Sequence, residues 1–580
     1  MFYFIHCFSK NSAVVVFILS LISGLSLLLA AAPVFSTTLN IPDNTAREVL
    51  REKERQQQLR QREEIKPDVR LQKQNIPIAT DKFPEQESPC FTISEIKLLG
   101  ELSEQFVFAL ESVRTATGRC LGVQGINVVI TRVQNAIVEK GFITTRVLAA
   151  PQDLKSGTLE LTMIPGIVDA IRFESDSPQR LISSALPTSA GDLLNLRDIE
   201  QGLENFKRVP SAEADFEIQP ATAKDAQVGE SDLVIRHEQK FPLRVSLSLD
   251  DGGAKSTGRN QAGLTISYDN PLSLNDLFYI SLNRDFEGGD SSERGTAGYT
   301  VHYSIPWKKW LFSTTGSVFD FRQTVATVNQ EIRYSGESKT AELRISRSLY
   351  RDAQRRTSGY VRAYLRSSRN FINDIEVSLQ RRRTAGYEVG INHREYLGRG
   401  TLDASVAYRR GTGAFNSLAA PEDPFGEGAS RPEIYTASLL FNLPFSLGSQ
   451  RLRYNANFRL QHNITPLVPQ DRFFIGGRHT VRGFDGENVF SADRGWFIRN
   501  DISLALAKTS HEVYLGLDHG EVAGQSSELL LGKRLTGVVV GARGSYKKLS
   551  YDIFTGRPVS KPDGFRTAKN IAGFNLTYVF

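Results

Sequence analysis

Few residues of this chain are spaced to make or break a covalent bond. The eight histidines are scattered, and none falls in an HExxH or paired-ligand spacing. No G-x-S-x-G or phosphate-binding loop occurs, and Gly476-Gly477 reads as turn geometry. No catalytic step, metal site or cofactor is expected. The chemistry on offer is of two other kinds. Cys90 and Cys120 form an even pair once Cys7 is set aside. The stretch 471–501, DRFFIGGRHTVRGFDGENVFSADRGWFIRND, is apolar, aromatic and charged at once. A surface loop would be more uniformly polar, so the mixture suits a segment folded back into an interior. Arg482 in such a place would need an acidic partner, because an unpaired desolvated charge is costly. In a solvated outer loop it would need none. The residues alone leave both placements open.

Whether the two cysteines pair depends on the compartment, and the N-terminus addresses that. Lys10 precedes the apolar run Val14 to Leu29, which ends in Ala30-Ala31-Ala32. This is the basic, apolar and small-residue order of a cleaved secretory signal over 1–32. At about 16 residues the run falls short of the roughly 20 that span a bilayer. Export removes Cys7 and places Cys90 and Cys120 in an oxidising compartment, where a disulfide is expected.

The elements that must position these groups fall into three regions. Residues 33–64 hold AREVLREKERQQQLRQREE, rich in strong helix formers. That helix is polar all round and has no stripe to bury in a core, so it belongs in water or in a polar cavity. Residues 65–89 carry Pro67, Pro77, Pro84 and Pro89 without a period and read as a linker. Residues 90–165 follow the order β-α-α-β-β, and 166–239 repeat it, so two α/β modules stand in tandem.

After Phe241 the helical period vanishes and alternation takes over. Leu243, Val245, Leu247 and Leu249 alternate with Arg244, Ser246, Ser248 and Asp250. Tyr299, Val301, Tyr303 and Ile305 do so with Thr300, His302 and Ser304. Residues 240–580 give about sixteen such strands of membrane-spanning length, with connectors alternately long and short, as in a transmembrane barrel. The modest mean hydropathy of −0.27 argues against a helical membrane bundle but not against a barrel. The net charge of +6 comes from signs mixed along the chain, so no nucleic-acid footprint is read from it. The fold class expected is a membrane β-barrel of about sixteen antiparallel strands, preceded by two periplasmic α/β modules and an N-terminal helix.

Several segments resemble one family over residues 40–580. They are Cys90-Phe91, Cys120, GFITTRV at 141–147, PQDLKSGTLEL at 151–161, LNLRDIEQGLENFKRVPS at 194–211, DNPLSLND at 269–276 and IGGRHTVRGFDGE at 475–487. The chain is similar to the two-partner secretion transporters of the TpsB type (ShlB/FhaC/HecB haemolysin secretion/activation proteins). The resemblance implies that the modules are POTRA domains and that the polar helix is a plug occupying the pore at rest. Val481, Arg482, Gly483 and Phe484 would be the family's VRGF loop motif, with Asp518 in LDHG as the acid that pairs with Arg482 on the lumen wall. The implied function is secretion, with or without activation, of a TpsA-type exoprotein captured unfolded in the periplasm. Outer-membrane lipid and lipopolysaccharide would surround the barrel, and the barrel-assembly machinery would insert it. A barrel-assembly factor of the same superfamily would carry more modules, usually five, and a passive porin would carry none.

Overall fold

The computed structural model describes residues 44–64, 67–71, 82–223, 225–286, 293–326, 331–506 and 509–580. The expected signal segment 1–32 and linker residues 65–66 and 72–81 lie outside the described residues. The polar helix, α1, spans Asn44–Glu63.

The first module contains β1 (Phe91–Thr92), β2 (Glu95–Leu99), a 3-10 helix (Ser103–Ala116), β3 (Cys120–Leu121), α2 (Val123–Glu139), β4 (Arg146–Leu148) and β5 (Thr158–Ile164). Apolar residues of α2 recur at Val129, Val133 and Ile137, one face of a helix, and all three are fully buried. They pack with Phe106, Ala109 and Val113 of the 3-10 helix against Leu159 and Leu161 of the sheet. Cys90 and Cys120 are joined in a disulfide beside the β1–β3 pair. Closing a loop of 30 residues stabilises the module by about 3 to 4 kcal/mol on the chain-entropy estimate. The packing reaches back before Cys90: Phe83 lies against the core, and the Glu87 carboxylate accepts from the N–H groups of Gly122, Gln124 and Gly125. Those N–H groups open α2, where an acid caps orphan donors and suits the helix dipole.

The second module repeats the plan with β6 (Ile167–Phe173), α3 (Arg180–Ala185), α4 (Leu196–Phe206), β7 (Ala212–Pro220) and β8 (Glu230–Gln239). In each module the last strand or its equivalent is central. It pairs parallel with the first strand and antiparallel with the other, giving orders β2-β5-β4 and β6-β8-β7.

The barrel consists of β9 (Leu243–Asp250), β10 (Gln261–Asp269), β11 (Leu277–Asp285), β12 (Gly295–Trp307), β13 (Trp310–Ala326), β14 (Glu331–Arg351), β15 (Arg355–Ile372), β17 (Arg382–Leu397), β18 (Gly400–Thr412), β19 (Glu433–Leu447), β20 (Gln450–Asn463), β23 (Arg494–Ala505), β24 (Glu512–Ala523), β25 (Arg534–Tyr546), β26 (Leu549–Ser560) and β27 (Ile571–Val579). A two-residue strand, β16 (Ile375–Glu376), pairs only at the tip of β15. The sixteen long strands close, β27 pairing with β9 over five positions. Other neighbouring long strands pair over eight or more, so this seam is the shortest ladder in the wall. Leu243, Leu247, Leu249, Tyr299 and Val301 are exposed on the outside, while Ser246, Thr300, His302 and Ser304 are buried inside. The alternation read from the sequence is therefore the division between outer wall and lumen.

The second module is fastened to the strand ends. Arg208 donates to the carbonyls of Asn275 and Ser304 and to Ser304 Oγ. Asn275 donates to the Leu181 carbonyl and Ser184 Oγ, and Ser211 donates to Asp269. The DNPLSLND turn is thus the seat of the second module.

Candidate functional site: a helix and a loop inside the barrel

The long segment between β20 and β23 turns inward. Its short hairpin, β21 (Phe473–Ile475) with β22 (Phe490–Ala492), packs against Phe497, Val522 and Leu535 of the wall and Phe565 of another connector. That apolar cluster explains why the loop is rich in Phe, Ile and Val: its side chains bury against the lumen wall. Val481 and Phe484 are completely or almost completely buried.

Between them Arg482, 2% exposed, points at the wall. Its Nε lies 2.7 Å from Asp518 Oδ2, its Nη2 2.8 Å from Asp518 Oδ1, and its backbone N–H donates to Asp518 Oδ2 at 3.0 Å. Asp501 Oδ1 accepts from the same Nη2 at 2.5 Å. Arg482, the acid implied by the family resemblance and one further acid thus meet in a single network. Burial alone would weaken the guanidinium's hold on its proton; Asp518 and then Asp501 overcome this and raise the pKa above the usual arginine value. Arg543 continues the network, reaching Asp501 Oδ2 at 3.3 Å and also Glu512. The bidentate fork on Asp518 fixes direction as well as energy.

Gly483 makes the approach possible. Its φ is +95°, and a side chain there would lie 2.6 Å from the Arg557 carbonyl oxygen. On the wall, a Cβ at Gly537 would fall 1.8 Å from the Arg482 carbonyl oxygen. The motif tip therefore rests on bare backbone of β25 and β26. Neither Asp501 nor Gly537 is singled out by sequence reading. A glycine inside a strand is the available signal for Gly537; for Asp501 no local pattern exists.

Helix α1 lies in the lumen beside this loop. Arg47 donates to the Glu487 carbonyl at 2.7 Å and Arg51 to the Gly486 carbonyl at 2.5 Å. Lys53 donates to the Gln470 carbonyl, and Gln58 pairs with His479. Toward the other end, Glu54 meets Arg459, Arg60 meets Glu342, and Glu63 meets both Arg244 and Ser267. Glu64 lies 2.7 Å from His302 Nε2. The helix has polar partners on every side, which accounts for a sequence polar all round. Of its few apolar residues, Val49 and Leu50 are buried, and Leu59 is partly buried against Leu277 and Tyr279 of the wall. Asp471 at the loop base is surrounded by Arg366, Arg409 and Lys53, whose charges outweigh burial and hold its carboxyl below the usual range.

A closed barrel with a polar lumen, two tandem modules and a helix and loop inside the bore define a class: pore proteins that carry a helix in their passage. Similarity to known proteins narrows it. The profile of the haemolysin secretion/activation protein family ShlB/FhaC/HecB matches residues 229–544, a ShlB-type POTRA domain matches 91–166, and a further POTRA domain matches 167–220. Outer membrane transporter CdiB-2 of Burkholderia pseudomallei is 34% identical over 85% of this chain and 87% of its own length. Hemolysin transporter protein ShlB of Serratia marcescens is 25% identical over 75% of this chain and 76% of its own. The solved structure of CdiB from Acinetobacter baumannii superposes with a TM-score of 0.82 at 31% identity, covering 94% of this chain and all of that one. The chain belongs to the ShlB/FhaC/HecB family of haemolysin secretion/activation proteins. It is an outer-membrane β-barrel transporter with its POTRA domains in the periplasm.

Proposed function

We propose that this transporter secretes one large partner exoprotein of the TpsA type through the lumen now filled by α1. The carrying observation is the helix itself. It is held almost wholly by polar and charged contacts to the wall and loop, and such contacts can be exchanged for water when the helix leaves. An apolar plug would have no such alternative. The unfolded exoprotein is captured by the POTRA modules through an exposed sheet edge, threads the emptied lumen and folds outside. The Arg482–Asp518–Asp501 network holds the inward loop in register on the wall while the helix is exchanged. Surface folding of the cargo supplies the drive, with no cofactor, metal or nucleotide and no catalytic step. Lipopolysaccharide and outer-membrane lipid surround the apolar wall, and the barrel-assembly machinery installs it; nucleic acid has no part.

The test compares surface and supernatant proteins of cells with and without the gene. Loss of a single large exoprotein, retained in the periplasm, is expected. General loss of outer-membrane barrels would assign the chain to assembly instead.

A further inference from the structure

Just beyond α1, residues 67–71 (PDVRL) lie in a site built by two parts of the molecule. One wall is the buried acidic face of α4, with Glu200 and Glu204 0% and 4% exposed. The other is the rim end of the barrel, where Arg351, Arg356 and Tyr396 come from β14, β15 and β17. The Val69 N–H donates to Glu204 Oε1 at 3.4 Å and the Leu71 N–H to Glu200 Oε1 at 2.9 Å. Arg351 Nη2 donates to the Val69 carbonyl at 2.8 Å and also to Glu204 at 2.9 Å. Arg351 Nε donates to Glu200 at 3.2 Å, and Arg356 to Glu204 at 2.5 Å.

In an extended chain the N–H and C=O of residue i and the N–H of residue i+2 all point to the same side. Glu204, Arg351 and Glu200 meet those three groups in turn. Fixed side chains thus imitate a strand edge, one that reads backbone and is indifferent to most sequences. Selectivity comes from two further contacts. The Val69 side chain, 9% exposed, enters the core formed by Leu181, Ile182, Leu203 and Phe206. Arg70 stacks over the Tyr396 ring at 3.9 Å, while the Tyr396 hydroxyl donates to Asp68. Arg351 Nη1 is buried and has no hydrogen-bond partner among the described residues, a donor that this occupant leaves unused.

We infer that this is a peptide-binding site for an extended segment carrying an aliphatic residue followed by a basic one, and that its present occupant is the chain's own linker acting as a resident competitor. The inference rests on the proposed secretion function, since the incoming occupant is a segment of the secreted polypeptide. A covalently linked segment competes at an effective concentration in the millimolar range. A free peptide displaces it poorly, whereas cargo already held by a neighbouring module is tethered as well and competes on equal terms. Residue 67 follows α1 by only a few positions, so displacing 67–71 releases the nearer anchor of the lumen helix. Cargo arrival and plug release are thereby one exchange.

The experiment uses the full chain in lipid nanodiscs and a fluorescent synthetic peptide with the sequence of residues 66–73, KPDVRLQK. Val69→Asp in the chain evicts the linker and leaves the site intact. The peptide should bind this variant saturably and bind the unaltered chain about tenfold or more weakly, because only the fraction of vacant sites counts. A peptide carrying Asp in place of its Val should not bind, and adding Arg351→Gln to the Val69→Asp chain should remove binding. Equal binding to both chains, or none to a Val69→Asp chain that still runs as a folded, heat-modifiable barrel, overturns the site. A chain that binds no peptide yet secretes its exoprotein normally removes the site and leaves the proposed function standing. Loss of secretion by the gene deletion's criterion is a separate readout.

Discussion

At the scale of single residues, the motif tip is held by charge placed where water cannot reach it. Arg482 answers two carboxylates, so its removal takes the bidentate fork from Asp518 and leaves that acid to Arg499 at 3.8 Å and Asp501 to Arg543 at 3.3 Å. Breaking one side of a buried pair costs on the order of 3–5 kcal/mol, enough to undock the loop while the strand ladders, which do not involve Arg482, persist. Arg482→Ala should abolish secretion with barrel assembly intact. Secretion assays paired with heat-modifiability on gels check this, and normal secretion by the variant would refute the role. A second residue carries a pH dependence. His237 sits against the rings of Phe173 and Phe206, 5.8 and 5.7 Å away, and burial lowers its pKa. The unfolded chain takes up the proton near pH 6.5, so below that pH the unfolded state binds more protons and the second module loses stability. Hydrogen-exchange protection of β8 in the full chain, corrected for intrinsic rates, should fall between pH 7.5 and 5.5. Constant protection would show that His237 charges freely in the fold. The pairing of Arg482 with Asp518 was legible through a family motif, and only so: 36 positions separate them, and no period links a loop to the second barrel strand beyond it. Asp501 and the bare surface at Gly537 left no such trace, because what they touch is set by closure of the barrel.

At the scale of elements, periodicity carried most of the information. Each strand must divide lipid-facing from lumen-facing side chains, so the alternation of Leu243 to Asp250 is imposed by physics and readable. The module repeat was legible for a like reason, since each helix buries one stripe. The chain from Pro67 to Leu71 was not. A lone Val69 in a proline-marked stretch has no neighbours in sequence to make a pattern, and its partners lie about 130 and 280 positions away. The winding of Ser103–Ala116 as a 3-10 helix was equally hidden, since its buried residues Phe106, Ala109, Val113 and Ala116 fit helical spacing in general. The polar helix was read as needing water or a polar cavity, and the lumen is that cavity. Deleting residues 42–64 should raise single-channel conductance in planar bilayers, because the wall groups that now hold the helix would be solvated and the bore opened. Unchanged conductance would mean that the inward loop alone closes the pore.

At the scale of the whole molecule, three parts share one set of contacts. The second module is seated on the barrel turns through Arg208, Asn275 and Ser211. Asp269, which receives Ser211, is also gripped by Arg244, and Arg244 reaches Glu63 of the lumen helix. Module, wall and helix are therefore adjacent links of one chain of hydrogen bonds and ion pairs, and an event at the module has a short physical route to the pore. On the proposed function a polypeptide passes through this lumen once the helix has gone. That passage is tested most directly by placing a photoreactive amino acid at Arg459, which faces the helix from the inner wall, and at neighbouring Phe458, on the opposite side of the same strand, in cells whose exoprotein is stalled in transit by a fused, stably folded domain. Cross-links to the stalled exoprotein are expected from position 459 and none from 458. Equal capture at both positions, or capture at neither while the exoprotein still reaches the surface, would place the path outside this barrel and rule out passage through the lumen.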